Sequence, residues 1–179
     1  MQPKPALTVL LVLVLLLPFS GFAWQVRAQN PPDAAWFQQQ GDRLFRARKL
    51  EPAAEAYQQA ITLEPHNAKA YAGLGFTYGA MGRYPQAVEA FKHAIRLQPN
   101  APLAYGGLGT SYHMLRRYQE SRDAFQQAIR LKPDFAEAHY GLGRTYLMLD
   151  DRVGALEEYN VLKTLDPKSA EELLKNIPR

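Results

Sequence analysis

The residue pattern of this chain repeats every 34 positions, four times, between residues 34 and 169. Three residue types keep the period: the prolines Pro65, Pro99, Pro133 and Pro167, the glycines Gly41, Gly75, Gly109 and Gly143, and the aromatic residues Tyr57, Phe91, Phe125 and Tyr159. A period of this length is typical of proteins in which one supersecondary unit stacks on copies of itself, because a single unit cannot bury its apolar face alone. The sequence therefore predicts a solenoid, whose extended surface binds other molecules more often than it carries out chemistry.

Each unit has the pattern of two helices. In the second unit, the apolar residues of 71–78 and of 87–94 follow the helical spacing of i, i+3 or i+4, and i+7. Gly82 separates the two segments, and the proline that closes the unit ends the second helix. Since Gly75 and Ala87 are both small, we expect the two helix backbones to approach closely at these residues.

The pattern resembles the tetratricopeptide repeat family, whose signature is W-x2-L-G-x2-Y, then A-x3-F, then P, at this period. The third unit matches it with Tyr105, Leu108, Gly109, Tyr112, Ser121, Phe125, Ala128 and Pro133. The resemblance implies an all-α, right-handed α-solenoid of helix-turn-helix repeats at 34–67, 68–101, 102–135 and 136–169. In the last repeat His139 takes the position of the bulky aromatic residue, so we expect His139→Trp to be neutral or stabilising.

The segment after the last repeat is predicted to be a capping helix. Residues 170–177 combine apolar and polar positions at helical spacing, and a solenoid needs a polar cover on its last apolar face. Glu171 and Glu172 would then lie in the first turn, where the helix dipole favours acidic residues. We therefore assign 170–179 to a capping helix and tail, and 29–33 to a linker before the first repeat.

The first 28 residues have the composition of a secretory signal peptide. A basic start precedes the apolar run 6–17, and small residues at the end favour cleavage after Ala28, with Ala23 as the second choice. The alternative is an uncleaved anchor, since the 19 residues of 6–24 are just long enough to cross a bilayer. We expect an exported protein, most simply of the bacterial periplasm, with membrane attachment only if this segment is retained.

The composition argues against several functional classes. Lys4 and Arg27 would leave with the signal peptide, which takes the 21 basic residues to 19 against 17 acidic ones and gives no electrostatic case for nucleic acid binding. The chain has no cysteine, and no two of its four histidines have the spacing of metal ligands. We therefore predict no catalytic residue, no metal, no cofactor and no enzyme activity.

The resemblance implies that a second face of each first helix lines a concave groove. We predict ten groove residues on that face: Lys69, Phe76, Leu103, His113, Met114, Glu137, Tyr140, Arg144, Leu147 and Met148. Methionine and aromatic side chains adapt to varied apolar partners, so the groove is predicted to bind a peptide or an amphipathic helix of a protein. Two alternatives stay open: some of these residues pack within the solenoid, or the protein is a structural subunit of an envelope assembly that self-associates or packs laterally.

One branch of the family binds the C-terminal carboxylates of heat-shock chaperones through a Lys/Asn/Asn/Lys/Arg clamp. The corresponding residues here are Gln38, Asp42, Gly73, Leu103 and Gly107. None of them matches, so that mode of binding is not expected.

Overall fold

The computed structural model describes residues 32–178 of the 179-residue chain. The predicted signal peptide, 1–28, and residues 29–31 of the predicted linker lie outside these residues. Nine helices make up the described part: α1 (Ala34–Arg46), α2 (Leu50–Leu63), α3 (Ala68–Ala80), α4 (Tyr84–Leu97), α5 (Pro102–Met114), α6 (Tyr118–Leu131), α7 (Ala136–Met148), α8 (Arg152–Leu165) and α9 (Pro167–Asn176). None of the nine combines the length and the apolar content that crossing a bilayer requires.

Each repeat is one helical hairpin, which confirms the predicted all-α fold. A first helix of 13 residues packs against a second of 14 in all four repeats, and the second helices of the first three repeats also contact the first helix of the next repeat. The α-helical hydrogen bonds of the second helices end before the loop prolines, as expected, because a proline disfavours helical geometry in the residue before it.

The turn inside each hairpin contains one residue with left-handed backbone geometry. Gly82 has φ of 74°, and Arg48, Arg116 and Asp150 have φ of 60°, 59° and 58° at the same place in their repeats. This geometry lets the amide of the next residue donate to a carbonyl five residues earlier, as Arg83 N does to Tyr78 O at 2.8 Å. Only one of the four turns has the glycine that suits it without a steric cost.

The repeat glycines pack against aromatic rings. A Cβ added to Gly75 would lie 2.8 Å from Cε1 of Phe91, so this glycine makes room for a ring of the second helix. Gly107, in the next repeat, contacts the other side of the same ring. Tyr57 lies between Gly41 and Gly73 in the same way, and Phe125 lies between Gly109 and Gly141.

The last repeat is closed by α9. Gly143 faces Leu173 of that helix, since an added Cβ would lie 2.5 Å from Cδ2 of Leu173. Leu173 is fully buried together with Leu162, which is larger than the alanine of the other repeats and fills the space beside the short helix.

The capping helix starts earlier than predicted. It begins at Pro167, where the missing amide of the proline costs nothing, and the Asp166 side chain caps it by accepting from the amide and hydroxyl of Ser169. Glu171 and Glu172 therefore do not lie in its first turn, as predicted, but in its second.

His139 is buried in the aromatic position but makes polar contacts there. Its Nδ1 lies 2.6 Å from Oε2 of Glu158, and its Nε2 lies 2.9 Å from the carbonyl oxygen of Pro133. The hydrogen bond to Glu158 raises the pKa of His139, against the opposing effect of burial. The structure therefore contradicts the expectation that tryptophan fits this position without loss.

Candidate functional site

The first helices of the repeats form one continuous face. α1 contacts α3, α3 contacts α5, and α5 contacts α7, whereas no two second helices contact one another within residues 32–178. The first helices therefore lie on the inner side of the stack and the second helices on the outer side. The predicted groove residues all belong to α3, α5 and α7.

A mostly apolar cavity of ≈ 490 Å³ lies on this inner face between α3, α5 and α7; we call it the first cavity. Four of the predicted groove residues line it: Phe76, Leu103, Met114 and Glu137. Gly79 leaves space in its wall, and the rings of Phe91 and Phe125 belong to its floor.

Two apolar side chains of the first cavity, Leu103 and Met114, lie outside the buried core. Leu103 is 58% exposed and Met114 is 49% exposed, while the core ring Phe91 beneath them is 1% exposed. Phe76 lies at an edge-to-face angle to Phe91, with 4.9 Å between ring centroids. Exposed apolar residues grouped around a cavity are typical of an interaction surface.

A second cavity of ≈ 630 Å³ lies between α7 and the capping helix. Five predicted groove residues line it: His113, Tyr140, Arg144, Leu147 and Met148. The side of α9 completes it with Glu172 and Asn176. Lys69 is exposed but lines neither cavity, so the predicted groove is divided into two compartments and one outlying residue.

The capping helix already occupies part of the predicted groove. The Tyr140 hydroxyl donates to Oε1 of Glu172 at 2.5 Å, and the Arg144 guanidinium lies 5.8 Å from the Tyr140 ring centroid. Burial and the Glu172 carboxylate raise the pKa of Tyr140. Tyr140 and Leu147 also pack against the buried cluster under α9, so both contribute to the fold as well as to the inner face.

His113 is positioned as a hydrogen-bond acceptor towards the second cavity. Its Nδ1 lies 3.0 Å from Oγ1 of Thr145, whose own hydroxyl donates to the carbonyl oxygen of Gly141 at 2.8 Å. Because that hydroxyl hydrogen is already used, we assign the donated proton to Nδ1 of His113, which leaves Nε2 free to accept. Burial, with a smaller effect of Arg144, lowers the pKa of His113 and favours this neutral form.

The sequence did not indicate two elements of the site. Phe135, at the start of α7, lines the first cavity, and its ring fills the space beside Gly106. The only signal was its bulk, in a loop position that holds Asn67 and Ala101 in the preceding repeats. The contribution of α9 could not be found because nothing in the repeat pattern fixes how that helix packs.

Asp42 of the first repeat is engaged within the fold. It accepts a hydrogen bond from the Tyr57 hydroxyl at 2.6 Å, and burial together with this bond raises the pKa of Tyr57. Within residues 32–178, no three histidine, aspartate or glutamate side chains are grouped in a way that could hold a metal ion.

Family models for tetratricopeptide repeats match residues 77–134 and 115–170, and a further TPR-repeat model matches residues 41–82. The chain belongs to the tetratricopeptide repeat family. No sequence among the curated proteins matches it.

Solved structures of the family share the fold. MamA is 26% identical with a TM-score of 0.72, and the match covers 80% of this chain and 81% of that one. YrrB, described as a TPR protein with an unusual peptide-binding site, is 22% identical with a TM-score of 0.71, covering 86% and 89%. The first TPR domain of Spaghetti (RPAP3), bound to the HSP90 peptide SRMEEVD, is 19% identical with a TM-score of 0.65, covering 66% and 94%. At the identities of the last two, the likeness establishes the fold alone.

Proposed function

We propose that this protein is an exported interaction module that binds a peptide or an amphipathic helix of a partner protein on the inner face of its solenoid. Membership of a family of interaction modules supports the protein-binding class, as does the presence of peptide-binding proteins among the structural neighbours. The observation that carries the proposal is the first cavity, where Phe76, Leu103 and Met114 stay exposed around an apolar space.

A partner side chain in the first cavity would remove apolar surface of both molecules from water. Each Å² of apolar surface buried contributes roughly 25 cal/mol, and truncation of a central anchor typically costs about 2 kcal/mol or more of binding free energy. The volume of ≈ 490 Å³ falls within the range of about 300–1,000 Å³ that is typical of ligand pockets. The site is therefore large enough to take one or more apolar side chains of a bound segment.

A matched pair of leucines tests the position of the site. Leu103 on the inner face is 58% exposed, and Leu63 at the end of α2 is 53% exposed. Leu103→Ala should weaken the binding of partner proteins recovered from an envelope extract, measured by titration, whereas Leu63→Ala should leave it unchanged. Both variants should melt close to the wild-type protein, because neither side chain is buried. Equal loss from both substitutions would place the partner away from the first cavity.

The export part of the proposal rests on the composition of residues 1–28. Mass spectrometry of the protein isolated from its native cells should find an N-terminus at Gln29, or at Trp24 if the second cleavage site is used. An intact Met1 in the membrane fraction would replace the exported form by an anchored one.

The second function considered above, a structural subunit, makes a different prediction in solution. A self-associating subunit changes mass with concentration, whereas an interaction module does not. Sedimentation of the protein lacking residues 1–28, over a range of concentrations, separates the two.

A further inference from the structure

The first cavity has a single charged group in its lining. Fifteen of its sixteen lining residues are uncharged, and the remaining one is Glu137, in the first turn of α7. Its side chain is exposed, and it takes part in none of the ion pairs formed within residues 32–178. A carboxylate at the opening of an apolar space is free to pair with a charge that a partner brings.

The hydroxyl groups on α5 do not compete for this role. The Thr110 hydroxyl donates to the carbonyl oxygen of Gly106 at 3.0 Å, and the Ser111 hydroxyl donates to that of Gly107 at 2.7 Å. Their hydrogens are used within the helix, so the strongest polar group that lines the first cavity is the Glu137 carboxylate.

Lys132, in the loop before α7, forms no ion pair with that carboxylate. Lys132 does not line the first cavity, and its Nζ lies 5.2 Å from the centroid of the Phe135 ring. The first cavity therefore presents an apolar floor with one negative charge at its edge.

We propose that the segment bound in the first cavity carries a large apolar side chain next to a lysine or arginine, and that Glu137 selects this basic residue. This inference rests on the proposed function, because it specifies the partner of the same site. The apolar side chain supplies most of the binding free energy, while the charge at the edge distinguishes one segment from another. An acidic residue in the same place would meet a like charge and be rejected.

The test is a selection from a random peptide library displayed on phage, with the protein lacking residues 1–28 as bait. The enriched peptides should combine an aromatic or large aliphatic residue with an adjacent lysine or arginine. Glu137→Gln should weaken the binding of the most enriched peptide about threefold, within the range for one exposed ion pair. Glu137→Lys should weaken it roughly tenfold or more, and a second selection on that variant should enrich acidic residues beside the apolar one.

Glu157→Gln is the matched control. Glu157 is an exposed glutamate of α8 that takes part in no ion pair among the described residues and lines neither cavity. The Glu157→Gln variant should bind the enriched peptide with the same affinity as the wild-type protein. An acidic side chain in the first turn of a helix also stabilises that helix. Melting curves of all variants therefore measure any loss of stability separately from the loss of binding.

Two results would overturn the inference and are distinguishable from each other. Enriched peptides that lose binding in Leu103→Ala but show no basic bias, and no response to Glu137→Lys, would leave the proposed function intact and remove the role of Glu137. Peptides that bind Leu103→Ala as well as wild type, or a selection that enriches none, would remove the proposed function together with the inference.

Discussion

In the first three repeats an aromatic ring lies between two glycines, whereas in the fourth the corresponding glycine, Gly143, contacts Leu173 of the capping helix. The fourth ring, Tyr159, is only half-buried, and no glycine of residues 32–178 is seen to pack against it. The difference indicates the role of the repeat glycines. Where one ring packs against two repeats, each repeat supplies a glycine that makes room for it, whereas at Gly143 the aliphatic Leu173 takes the place of the ring.

The largest loss of stability is expected when one methyl group is added inside a ring contact. Gly107→Ala would place its Cβ well inside the van der Waals contact distance of the Phe91 ring, which Gly75 also contacts. We expect the free energy of unfolding to fall by about 2–3 kcal/mol, as for other overpacked cores, and the Tm to fall by roughly 4–12 °C.

Gly79→Ala is the control for this substitution. No atom lies within 4 Å of its added Cβ, so only helix propensity acts and stability should rise by up to about 1 kcal/mol. If thermal melts moved by the same amount and in the same direction in both variants, the ring contact would not be the reason for the glycine.

The next largest effect concerns the polar contacts of the fourth repeat. His139→Trp removes two hydrogen bonds and leaves the mostly buried Glu158 carboxylate without its partner. We expect a loss of about 2–3 kcal/mol in urea unfolding, the usual range for a buried hydrogen bond to a charged group. Adding Glu158→Leu to His139→Trp should recover part of the lost stability. If His139→Trp alone were as stable as the wild-type protein, the hydrogen bond between His139 and Glu158 would not stabilise the fold.

A smaller effect distinguishes the four hairpin turns. Arg116 has the left-handed geometry that suits glycine, so Arg116→Gly should remove a steric cost of about 1–2 kcal/mol while it loosens the unfolded chain by about 0.4–1 kcal/mol. The net gain expected in thermal melts is about 0.5–1 kcal/mol. Gly82→Ala, in the equivalent turn, should lose a similar amount. If both variants lost stability, the Arg116 side chain itself would have to stabilise its turn.

The smallest effect is a pair of opposite pH dependences. The raised pKa of His139 means that the folded state binds its proton more tightly, so this contribution is complete below the unfolded pKa of about 6.5 and is lost as pH rises through the folded value. The lowered pKa of His113 acts in reverse, and its contribution is lost as pH falls.

Urea unfolding across this pH range checks both signs. His139→Asn should remove the decline in stability on the alkaline side, and His113→Asn should remove the decline on the acid side. The same change in both variants would contradict the assignment of the two histidines.

The sequence predicted the helix pairs well because period, turn and proline signals are local. It did not indicate the ring contact at Gly75, since Ala87 and Phe91 lie one turn apart on the same helix face and satisfy the same spacing. The predicted start of α9 was wrong because Pro167 matches three prolines that follow helices, whereas here Asp166 and Ser169 form a helix cap around it.

Prediction of the groove depended on geometry in a different way. Helical spacing selected one face of the first helices, but Phe135 also lines the first cavity and α9 also lines the second, and both come from outside the first helices. Spacing within one helix carries no information on such neighbours. Partner binding by the ten groove residues stays a prediction.

The shared rings also determine the order in which the repeats of the solenoid unfold. A ring held by two repeats couples their unfolding, in the manner of nearest-neighbour cooperativity along a one-dimensional array. Phe125 ties α7 to the third repeat through Gly141, but α8 and α9 have no such shared ring beyond them. Fraying from the C-terminal end would therefore release α9 first and open the second cavity, while the first cavity keeps its walls. Of the two compartments, the one nearer the C-terminus is the one whose shape can vary at little cost to the rest of the array.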